Sequence, residues 1–360
     1  MKTLKQNNNV LLFTLEYPPD IGGVANYYGN LVKYWGEGEV KVLVGKKLLQ
    51  PHWLISLWRL RRAIKKDKIK TVLVGQILPL GTVAWLLAKF IKFDYVVFLH
   101  GMDLTFALKT PRKKKLARKI LAGAKKIIAV NSYAAKLAGE IVDESKIEVV
   151  NPGVDLRFKI LDFRFQNELR KKYNLDNKLI LLQVGRLVER KGYDKVLAAL
   201  PRVWEEIPMV VYVIIGGGKL LEDLRLKTYD LKLKNNVILI TNADDSEVNS
   251  WYELCDIFIM PAREIDGDFE GFGIVYLEAN AHGKPVIAGN SGGVRDAVQD
   301  GVNGLLVNPE SVAEIAQAII KLGKDESLRK KLGERGRERT RQFDWKNQAN
   351  KVRKFIEFKN

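Results

Sequence analysis

The amino-acid sequence predicts an α/β protein of two domains, each a parallel sheet with helices on both faces. Short apolar runs rich in β-branched residues alternate with longer amphipathic stretches, which is the pattern of repeated strand–helix–strand units. The same alternation starts again after residue 178. A chain of 360 residues is also longer than one ordinary domain, so we expect two domains of the same class.

The first half contains six apolar runs that predict buried parallel strands. They cover residues 10–15, 40–44, 71–74, 95–99, 127–130 and 147–150. The amphipathic stretches between them predict helices at residues 24–35, 53–66, 82–90 and 116–123.

The second half repeats this rhythm. Strands are predicted at residues 179–184, 210–215, 237–240, 257–260, 286–288 and 304–307. Helices are predicted at residues 193–207, 220–231, 248–254, 274–281, 294–299 and 312–322.

The predicted domain boundary lies in a charged segment, residues 155–178, that has no strand pattern. We therefore expect an N-terminal domain over residues 1–158 and a C-terminal domain over residues 159–344. The end of the chain has a further amphipathic pattern. We expect that helix, residues 345–360, to pack back on the N-terminal domain.

Composition places the chain among soluble globular proteins, with 47% hydrophobic and 28% charged residues. The single cysteine, Cys255, excludes an intrachain disulfide, and its apolar neighbours favour a small buried side chain over a nucleophile. The longest apolar run, residues 77–88, is far shorter than the roughly 20 residues that a spanning helix needs. No signal-peptide pattern is present, so we expect a cytoplasmic protein.

The positive charge is concentrated in one half of the chain. The net charge is +18, of which residues 1–158 contribute +15. A one-sided basic surface attracts polyanions, which include nucleic acids, anionic lipid headgroups and anionic substrates.

The clearest chemical motif is EGFGIVYLE, residues 270–278. Gly271 and Gly273 allow the backbone to approach a ligand closely, and the helix start that follows presents N–H groups to an anion. Glu278, one turn into that helix, is placed to accept hydrogen bonds from a diol such as a ribose. A plain strand-to-helix turn with two solvated carboxylates is the alternative.

A second motif, GRLVERKG at residues 185–192, directly follows a predicted strand. The carboxyl edge of a parallel sheet is where open α/β folds bind ligands. Next to Gly185, Arg186 and Lys191 could together bind a diphosphate, one as a planar fork and the other as a point charge. An ordinary basic surface loop is the alternative.

Two features of the first half also follow predicted strands. Gly22 and Gly23 end the segment EYPPDIGG and precede a predicted helix. Glycines at the start of a helix leave an opening large enough for an anion. The segment lacks the Gly-x-Gly-x-x-Gly spacing of a dinucleotide site and so argues against a dehydrogenase. His100 stands beside a glycine at the end of its strand, where a polar catalytic role competes with a structural one.

Taken together, these residues resemble the retaining GT-B glycosyltransferases of group 1 and family 4, which include bacterial phosphatidylinositol mannosyltransferases and sucrose synthase. The resemblance runs from PPDIGG at residues 18–23 to DGVNG at residues 300–304. Its most specific part is a Glu-x7-Glu pattern, met by Glu270 and Glu278. It implies a GT-B fold, in which two Rossmann-like domains face each other across a cleft.

The resemblance also implies roles for the charged residues. Glu270 would contact the hydroxyls of the donor sugar, and Glu278 those of the ribose. Arg186 and Lys191 would hold the diphosphate and neutralise the departing group. His100 would lie beside the sugar, near its C6 hydroxyl.

The glycine-rich segments would line the donor in the same resemblance. Backbone amides around Phe272, Gly273 and Ile274 would face the sugar and phosphate, and Gly22 and Gly23 would lie close to the diphosphate. The donor would be a GDP- or UDP-linked sugar, with retention of anomeric configuration. No metal ion and no further cofactor would be needed.

The chain departs from the family pattern before Glu270. The loop at residues 262–269 is longer and more acidic than in many members, which bears on donor or acceptor choice. Asp266 and Asp268 imitate the metal motif of another glycosyltransferase fold, but we expect them to be solvated loop residues. Asp296 stands where many relatives carry Glu.

The basic half predicts contact with an anionic membrane surface. Residues 52–66 combine two tryptophans with five basic residues in an amphipathic pattern, and residues 109–119 hold seven basic residues. Such compositions are typical of helices that lie in a headgroup interface. The predicted membrane contacts are Trp53, Trp58, Arg59, Arg61, Arg62, Lys113, Lys114 and Lys115.

Four functions remain to be compared. A transferase with a lipid-linked or membrane acceptor fits the basic half best, and a soluble transferase with a small-molecule acceptor is the alternative. A sugar-nucleotide epimerase on the same fold would release nucleotide without an acceptor. A nucleic-acid-binding protein is disfavoured, because no recognised nucleic-acid motif accompanies the charge.

Overall fold

The computed structural model describes residues 9–20, 22–36, 38–45, 54–155, 163–231, 233 and 236–357. The chain divides into two compact units. The first comprises Met1–Gly153 together with Phe343–Asn360, and the second comprises Val154–Gln342.

The first unit is a parallel sheet of six strands within the described residues, in the order β2-β1-β3-β4-β5-β6. The strands are β1 (Val10–Thr14), β2 (Val40–Val44), β3 (Thr71–Val74), β4 (Asp94–Leu99), β5 (Lys126–Ala129) and β6 (Ile147–Val149). The helices are α1 (Gly23–Trp35), α2 (Ile55–Asp67), α3 (Thr82–Leu87), α4 (Met102–Leu108), α5 (Pro111–Gly123), α6 (Ser132–Gly139) and, from the end of the chain, α15 (Trp345–Ile356).

Alternation along the strands assigns each side chain of this sheet to one of two cores. Leu11 and Phe13 point toward α2, α3, α4 and α5, whose apolar stripes cover one face of the sheet. Leu12 points toward α1 and α15, which cover the other face. Within this second core the Trp345 ring lies edge-on to Tyr27, with ring centroids 5.3 Å apart.

The second unit is a second all-parallel sheet, in the order β12-β11-β10-β7-β8-β9. Its strands are β7 (Leu179–Val184), β8 (Val210–Ile215), β9 (Val237–Ile240), β10 (Ile257–Met260), β11 (Val286–Gly289) and β12 (Gly304–Val307). Its helices are α7 (Phe163–Lys172), α8 (Tyr193–Glu206), α9 (Leu221–Asp230), α10 (Asp245–Leu254), α11 (Ile274–Ala281), α12 (Val294–Ala297), α13 (Val312–Lys324) and α14 (Glu326–Thr340).

The two parallel sheets confirm the predicted α/β class, and every predicted strand is present with ends that differ by at most one residue. Cys255 is buried, and burial raises the pKa of its thiol to about 12, as expected of a packing residue. No helix of the described residues is both long enough and apolar enough to cross a membrane.

Four helices of the structure were not predicted, namely α4, α6, α7 and α14. The clearest reason is seen in α14, which has few apolar residues and many charges. It packs against α11 through glycines, since a Cβ on Gly333 would lie 1.9 Å from the Gly283 carbonyl oxygen, and one on Gly336 would overlap Asn280. Because glycine forms the contact face of α14, the helix lacks the apolar periodicity from which helices are predicted.

Substituting Gly333 with alanine tests this close approach. Alanine favours an isolated helix by about 1 kcal/mol over glycine, so a loss of stability must come from packing. We expect Gly333→Ala to lower the free energy of unfolding by about 1–3 kcal/mol, measured by urea unfolding. Lys331→Ala, an exposed change on the same helix, serves as the control, and equal stability of the two variants would contradict the packing account.

Candidate active site

The carboxyl ends of β7 and β10 mark where a ligand is expected in the second unit. The sheet order places β7 beside β10, and the chain moves outward from this pair in opposite directions. At such a switch point the loops after the two strands diverge and leave a crevice at the sheet edge. Residues 185–192 follow β7 and residues 261–273 follow β10, so the two motifs singled out in the sequence flank the switch point.

Lys191, Arg190 and Glu270 form a buried ion cluster between these two loops. The Lys191 Nζ lies 2.5 Å from Glu270 Oε2, and the Arg190 guanidinium lies 2.7 Å from the same oxygen. Arg190 Nε also lies 3.0 Å from the Asp268 carboxylate. Lys191 and Glu270 are 8% and 9% exposed. The loops after β7 and β10 are therefore joined by charge as well as by packing.

The Glu270 carboxyl is ionised at neutral pH. Burial raises its pKa, but the charges and hydrogen bonds of Lys191 and Arg190 outweigh burial and hold the pKa at about 2. Burial lowers the pKa of the Lys191 ammonium, and the Glu270 carboxylate opposes that shift. Because the ammonium lies 2.5 Å from an ionised carboxylate, both groups are charged at neutral pH.

Arg263 holds the loop after β7 in position. Its guanidinium lies 3.1 Å from both carboxylate oxygens of Asp194, and its backbone N–H donates to the Arg190 carbonyl at 2.8 Å. Gly192 is in the left-handed region, with a φ of 75°, and a Cβ there would lie 2.3 Å from the Pro261 carbonyl oxygen. These contacts keep Arg190 and the adjacent lysine in register with the loop after β10.

The backbone turns sharply at Gly273 to start α11. Gly273 has a φ of 78°, and a Cβ there would lie 2.3 Å from the Tyr276 ring, so only glycine fits. The first N–H groups of a helix have no partner inside it, and at the start of α11 those of Gly273 and Ile274 suit an anion. Gly271 is partly exposed, whereas the Phe272 ring is buried.

Glu278 lies one turn further along α11. It accepts a hydrogen bond from the Tyr252 hydroxyl at 2.8 Å. Burial raises the pKa of the Glu278 carboxyl, and the hydrogen bond from Tyr252 opposes that shift. Since this bond occupies Oε2, the other oxygen is left as an acceptor for a ligand hydroxyl.

Arg186 differs from Lys191 in its surroundings. Its side chain is exposed and makes no ion pair with any residue that the structure describes. The preceding Gly185 has a φ of 151°, and its carbonyl accepts a hydrogen bond from the Tyr193 hydroxyl at 3.0 Å. The loop therefore presents two paired cations, Arg190 and Lys191, and one exposed, unpaired cation, Arg186, on the same edge of the sheet.

The first unit has its own switch point, between β1 and β3. Gly22 and Gly23 lie after β1 at the start of α1, and a Cβ on Gly23 would meet no atom within 4 Å. His100 directly follows β4, the strand next to β3. All three predicted residues thus lie at the carboxyl edge of this sheet.

His100 is held neutral by its surroundings. Its Nε2 lies 2.8 Å from the Tyr28 hydroxyl, and its backbone N–H donates to Asp103 Oδ1 at 2.8 Å. Burial lowers the pKa of the imidazole to about 4. Burial also raises the pKa of the Asp103 carboxyl to about 6, against several hydrogen bonds from backbone N–H groups.

The predicted membrane contacts that the structure describes belong to α2 and α5, which lie in one helical layer on a single face of the first sheet. Trp58 is 58% exposed, and the Arg62 guanidinium lies 5.3 Å from the centre of its ring. Arg61, Lys114 and Lys115 are exposed, whereas Arg59 and Lys113 are partly buried. Trp53 lies outside the described residues.

Sequence reasoning missed several members of the site. Arg190 stands inside the second motif, but nothing local showed that it, and not Arg186, pairs with Glu270. Asp268, expected as a solvated loop residue, is half exposed and pairs with Arg190. Tyr28 and Tyr252 are helix residues whose hydroxyl partners are far away in the sequence. Their partners depend on the fold, so no local signal identifies them.

Comparison with known proteins gives consistent matches along the whole chain. Residues 165–339 match the family described as Glycosyl transferases group 1, and residues 2–158 match Glycosyltransferase Family 4. A GDP-mannose-dependent alpha-(1-6)-phosphatidylinositol monomannoside mannosyltransferase of Mycobacterium tuberculosis is 31% identical over 97% of this chain and 98% of its own length.

Solved structures of similar fold cover nearly the whole chain. Anabaena Alr3699/HepE in complex with UDP superposes with a TM-score of 0.80 at 18% identity, over 97% of this chain and 99% of that one. Sucrose-phosphate synthase from Thermosynechococcus elongatus gives a TM-score of 0.79 at 20% identity, over 96% and 97%. These likenesses confirm the predicted fold.

Neutralising Glu270 is expected to destabilise the protein in a pH-dependent way. Glu270→Gln leaves two buried cations without their carboxylate, so the free energy of unfolding at pH 7 should fall by about 3 kcal/mol. The folded-state pKa of about 2 lies below the ordinary 4.5. The wild-type advantage is therefore complete above about pH 4.5 and is lost as the pH falls through about 2.

Urea unfolding of both proteins at a series of pH values measures this difference. Glu205→Gln, which neutralises an exposed carboxylate on α8, is the matched control and should be nearly neutral. A Glu270→Gln effect below about 1 kcal/mol at pH 7, or one that does not shrink in acid, would contradict the ion-cluster account.

Proposed function

Because this chain belongs to the glycosyltransferases of group 1 and family 4, we propose that it transfers a hexosyl unit from a nucleotide diphosphate sugar to an acceptor at a membrane surface, with retention of configuration. The observation that carries the proposal is the buried Lys191–Glu270–Arg190 cluster at the switch point of the second sheet. The full-length relative named for GDP-mannose makes that sugar nucleotide the first donor to test.

The leaving group of this reaction is a nucleotide diphosphate, so the site must stabilise negative charge as the glycosyl–phosphate bond breaks. Lys191 would meet the diphosphate as a point charge, and the exposed Arg186 would add a planar fork. Arg190 stays with Glu270 when Lys191 turns to the phosphate, so the carboxylate keeps a counter-charge. The N–H groups at the start of α11 would add neutral donors to the phosphate oxygens.

The two carboxylates would hold the donor by its hydroxyls. Ionised Glu270 only accepts hydrogen bonds, which suits two neighbouring sugar hydroxyls. Glu278, with one oxygen bonded to Tyr252, suits the ribose. In the first unit, His100 is neutral at physiological pH and suits a hydrogen bond with a substrate hydroxyl.

Retention is proposed to proceed without a covalent enzyme intermediate. A carboxylate with a pKa of about 2 that is paired with two cations is a weak nucleophile, so Glu270 is poorly suited to attack the sugar. Front-face attack by the acceptor, assisted by the departing phosphate, then accounts for retention. We also propose that Arg186 and Lys191 replace a metal ion, so that chelators leave the rate unchanged.

The acceptor side is proposed to lie at an anionic lipid surface. Residues 54–123 hold 16 Lys and Arg against three Asp and no Glu. Of those acids, Asp67 pairs with Lys41, and Asp103 accepts the His100 backbone N–H. The same segment exposes large apolar side chains beyond the predicted Trp58, namely Leu54, Phe90, Met102 and Phe106.

The apolar side chains of this helical layer stand among its cations, as in a headgroup interface. Lys113 Nζ lies 3.4 Å from the centre of the exposed Phe106 ring. The layer thus combines rings that can enter the interface with cations that pair with lipid phosphates. We propose a cytoplasmic enzyme that is peripheral on the inner face of the cell membrane.

Lys191→Met should abolish transfer by removing the buried cation from the leaving group. We expect the turnover number with GDP-mannose to fall by at least about 100-fold, in line with loss of one preorganised transition-state contact. Nucleotide-sugar thermal shifts should also shrink, because a ligand at 100 times its Kd adds about 2.7 kcal/mol to stability. Lys195→Met, which removes a cation from α8 outside the cluster, is the control. Wild-type turnover in Lys191→Met would remove the proposed role.

Charge removal from α5 should release the protein from anionic vesicles. Replacing Lys113, Lys114 and Lys115 with Gln removes about 1 kcal/mol each, so the partition coefficient should fall about 100-fold in vesicle sedimentation. The control replaces three exposed cations of the second unit, Lys321, Lys331 and Arg335, and should bind like wild type. Equal losses in both triple variants would show that total charge, and not this layer, governs binding. Efficient transfer to a soluble acceptor without vesicles would favour the small-molecule alternative.

A further inference from the structure

The His100 imidazole belongs to a hydrogen-bond chain with one consistent arrangement of protons. Nε2 lies 2.8 Å from the Tyr28 oxygen, and the Tyr28 hydroxyl lies 2.8 Å from the Gly75 carbonyl oxygen. A carbonyl can only accept, so the single proton of the Tyr28 hydroxyl is donated to Gly75. The Tyr28 oxygen then meets Nε2 as an acceptor, and Nε2 must carry the hydrogen.

The reverse arrangement would leave two groups without partners. If Tyr28 donated to Nε2, the buried Gly75 carbonyl would lose its donor, which costs more than a hydrogen bond contributes. The space beside Gly75 is filled, since a Cβ there would lie 2.6 Å from Thr14 Oγ1 and 3.1 Å from the Tyr28 ring. The proton would also move to Nδ1, which has no acceptor among the described residues.

We propose that Tyr28 is a positioning residue that fixes His100 as the Nε2–H tautomer, so that Nδ1 acts only as a hydrogen-bond acceptor toward a substrate hydroxyl. The substrate side of this inference rests on the proposed function, whereas the tautomer rests on the hydrogen-bond chain alone. A nitrogen that can only accept a hydrogen bond binds a hydroxyl, which donates one. It repels the oxygen of a carboxylate or phosphate, which can only accept.

The surroundings of the ring hold it in this state. Tyr27 and Tyr28 of α1 meet the imidazole edge-on, with ring centroids 5.3 Å and 5.2 Å away. Asp103 fixes the backbone of His100 through Oδ1, and its Oδ2 is buried with no hydrogen-bond partner among the residues that the structure describes. Of the other titratable groups, Glu16 acts on Tyr28 through its charge. Burial lowers the imidazole pKa to about 4, so Nδ1 keeps its lone pair across the physiological range.

The tautomer can be observed directly by nitrogen NMR of the full-length chain labelled with 15N-histidine. The sequence contains three histidines, so His100 is assigned by the signal that His100→Gln removes. We expect wild type at pH 7.5 to show the Nε2–H pattern alone, with slow exchange of that proton. Nδ1–H as the main form in wild type would overturn the inference.

Tyr28→Phe removes the acceptor while keeping the ring. We expect the Nδ1–H form to become detectable, the Nε2 proton to exchange faster, and the turnover number to fall up to about tenfold with a smaller change in KM for the donor. Tyr27→Phe is the matched control, because it removes a neighbouring hydroxyl that makes no described hydrogen bond to His100, and it should behave as wild type. Wild-type tautomer, exchange and turnover in Tyr28→Phe would overturn the inference.

The two readouts separate this inference from the proposed function. Sugar transfer by a wild type whose His100 carries its proton on Nδ1 would overturn the inference and keep the proposed function. The Nε2–H pattern in a chain that transfers no sugar with any donor would support the tautomer and overturn the proposed function.

Discussion

Two cations on one buried carboxylate are the interaction on which the candidate site depends. Lys191 and Arg190 follow β7 and Glu270 follows β10, so the cluster joins the two loops that diverge at the switch point of the sheet. A charge of either sign would be costly to bury here alone, and each makes the burial of the other feasible. Because Arg190 duplicates the contact of Lys191, the lysine can turn to an anion without leaving Glu270 unpaired.

Glycine is what lets the backbone close around this cluster. Gly192 lies against the Pro261 carbonyl and Gly273 lies against the Tyr276 ring. A Cβ atom at either position would lie 2.3 Å from its neighbour, which leaves no room for a side chain. Gly292 has a φ of 56°, and a Cβ there would lie 2.8 Å from the Glu270 carbonyl oxygen. The backbone at Glu270 is thus enclosed by neighbouring loops, while the Lys191 and Arg190 side chains hold its carboxylate. A rigid carboxylate with paired cations is a preorganised charge pattern, and preorganisation is what electrostatic stabilisation of a leaving group requires.

The two units differ in the electrostatics of their sheet edges. In the second unit, mutual pairing holds Lys191, Arg190 and Glu270 ionised at the sheet edge. In the first unit, burial keeps His100 neutral, and tyrosine rings surround it. The charges of the first unit are placed instead on its outer helical layer, where cations stand among exposed apolar side chains. The proposed function assigns a diphosphate, a sugar hydroxyl and lipid headgroups to these three environments, in that order.

The sequence by itself determined the α/β class, the strands and the motifs at their carboxyl ends, because apolar periodicity and glycine placement are local properties of the chain. It also singled out Glu270 and Lys191 as candidate site residues, since their neighbours in sequence carry the signal. Only the tertiary structure decided that Arg190 pairs with Glu270 and that Tyr28 bonds His100 across 72 residues. The glycine face of α14 and the exposure of Phe90 were likewise settled only by packing. These features depend on segments that lie far apart in the sequence. No local pattern therefore predicts which side chains the sheet order brings together.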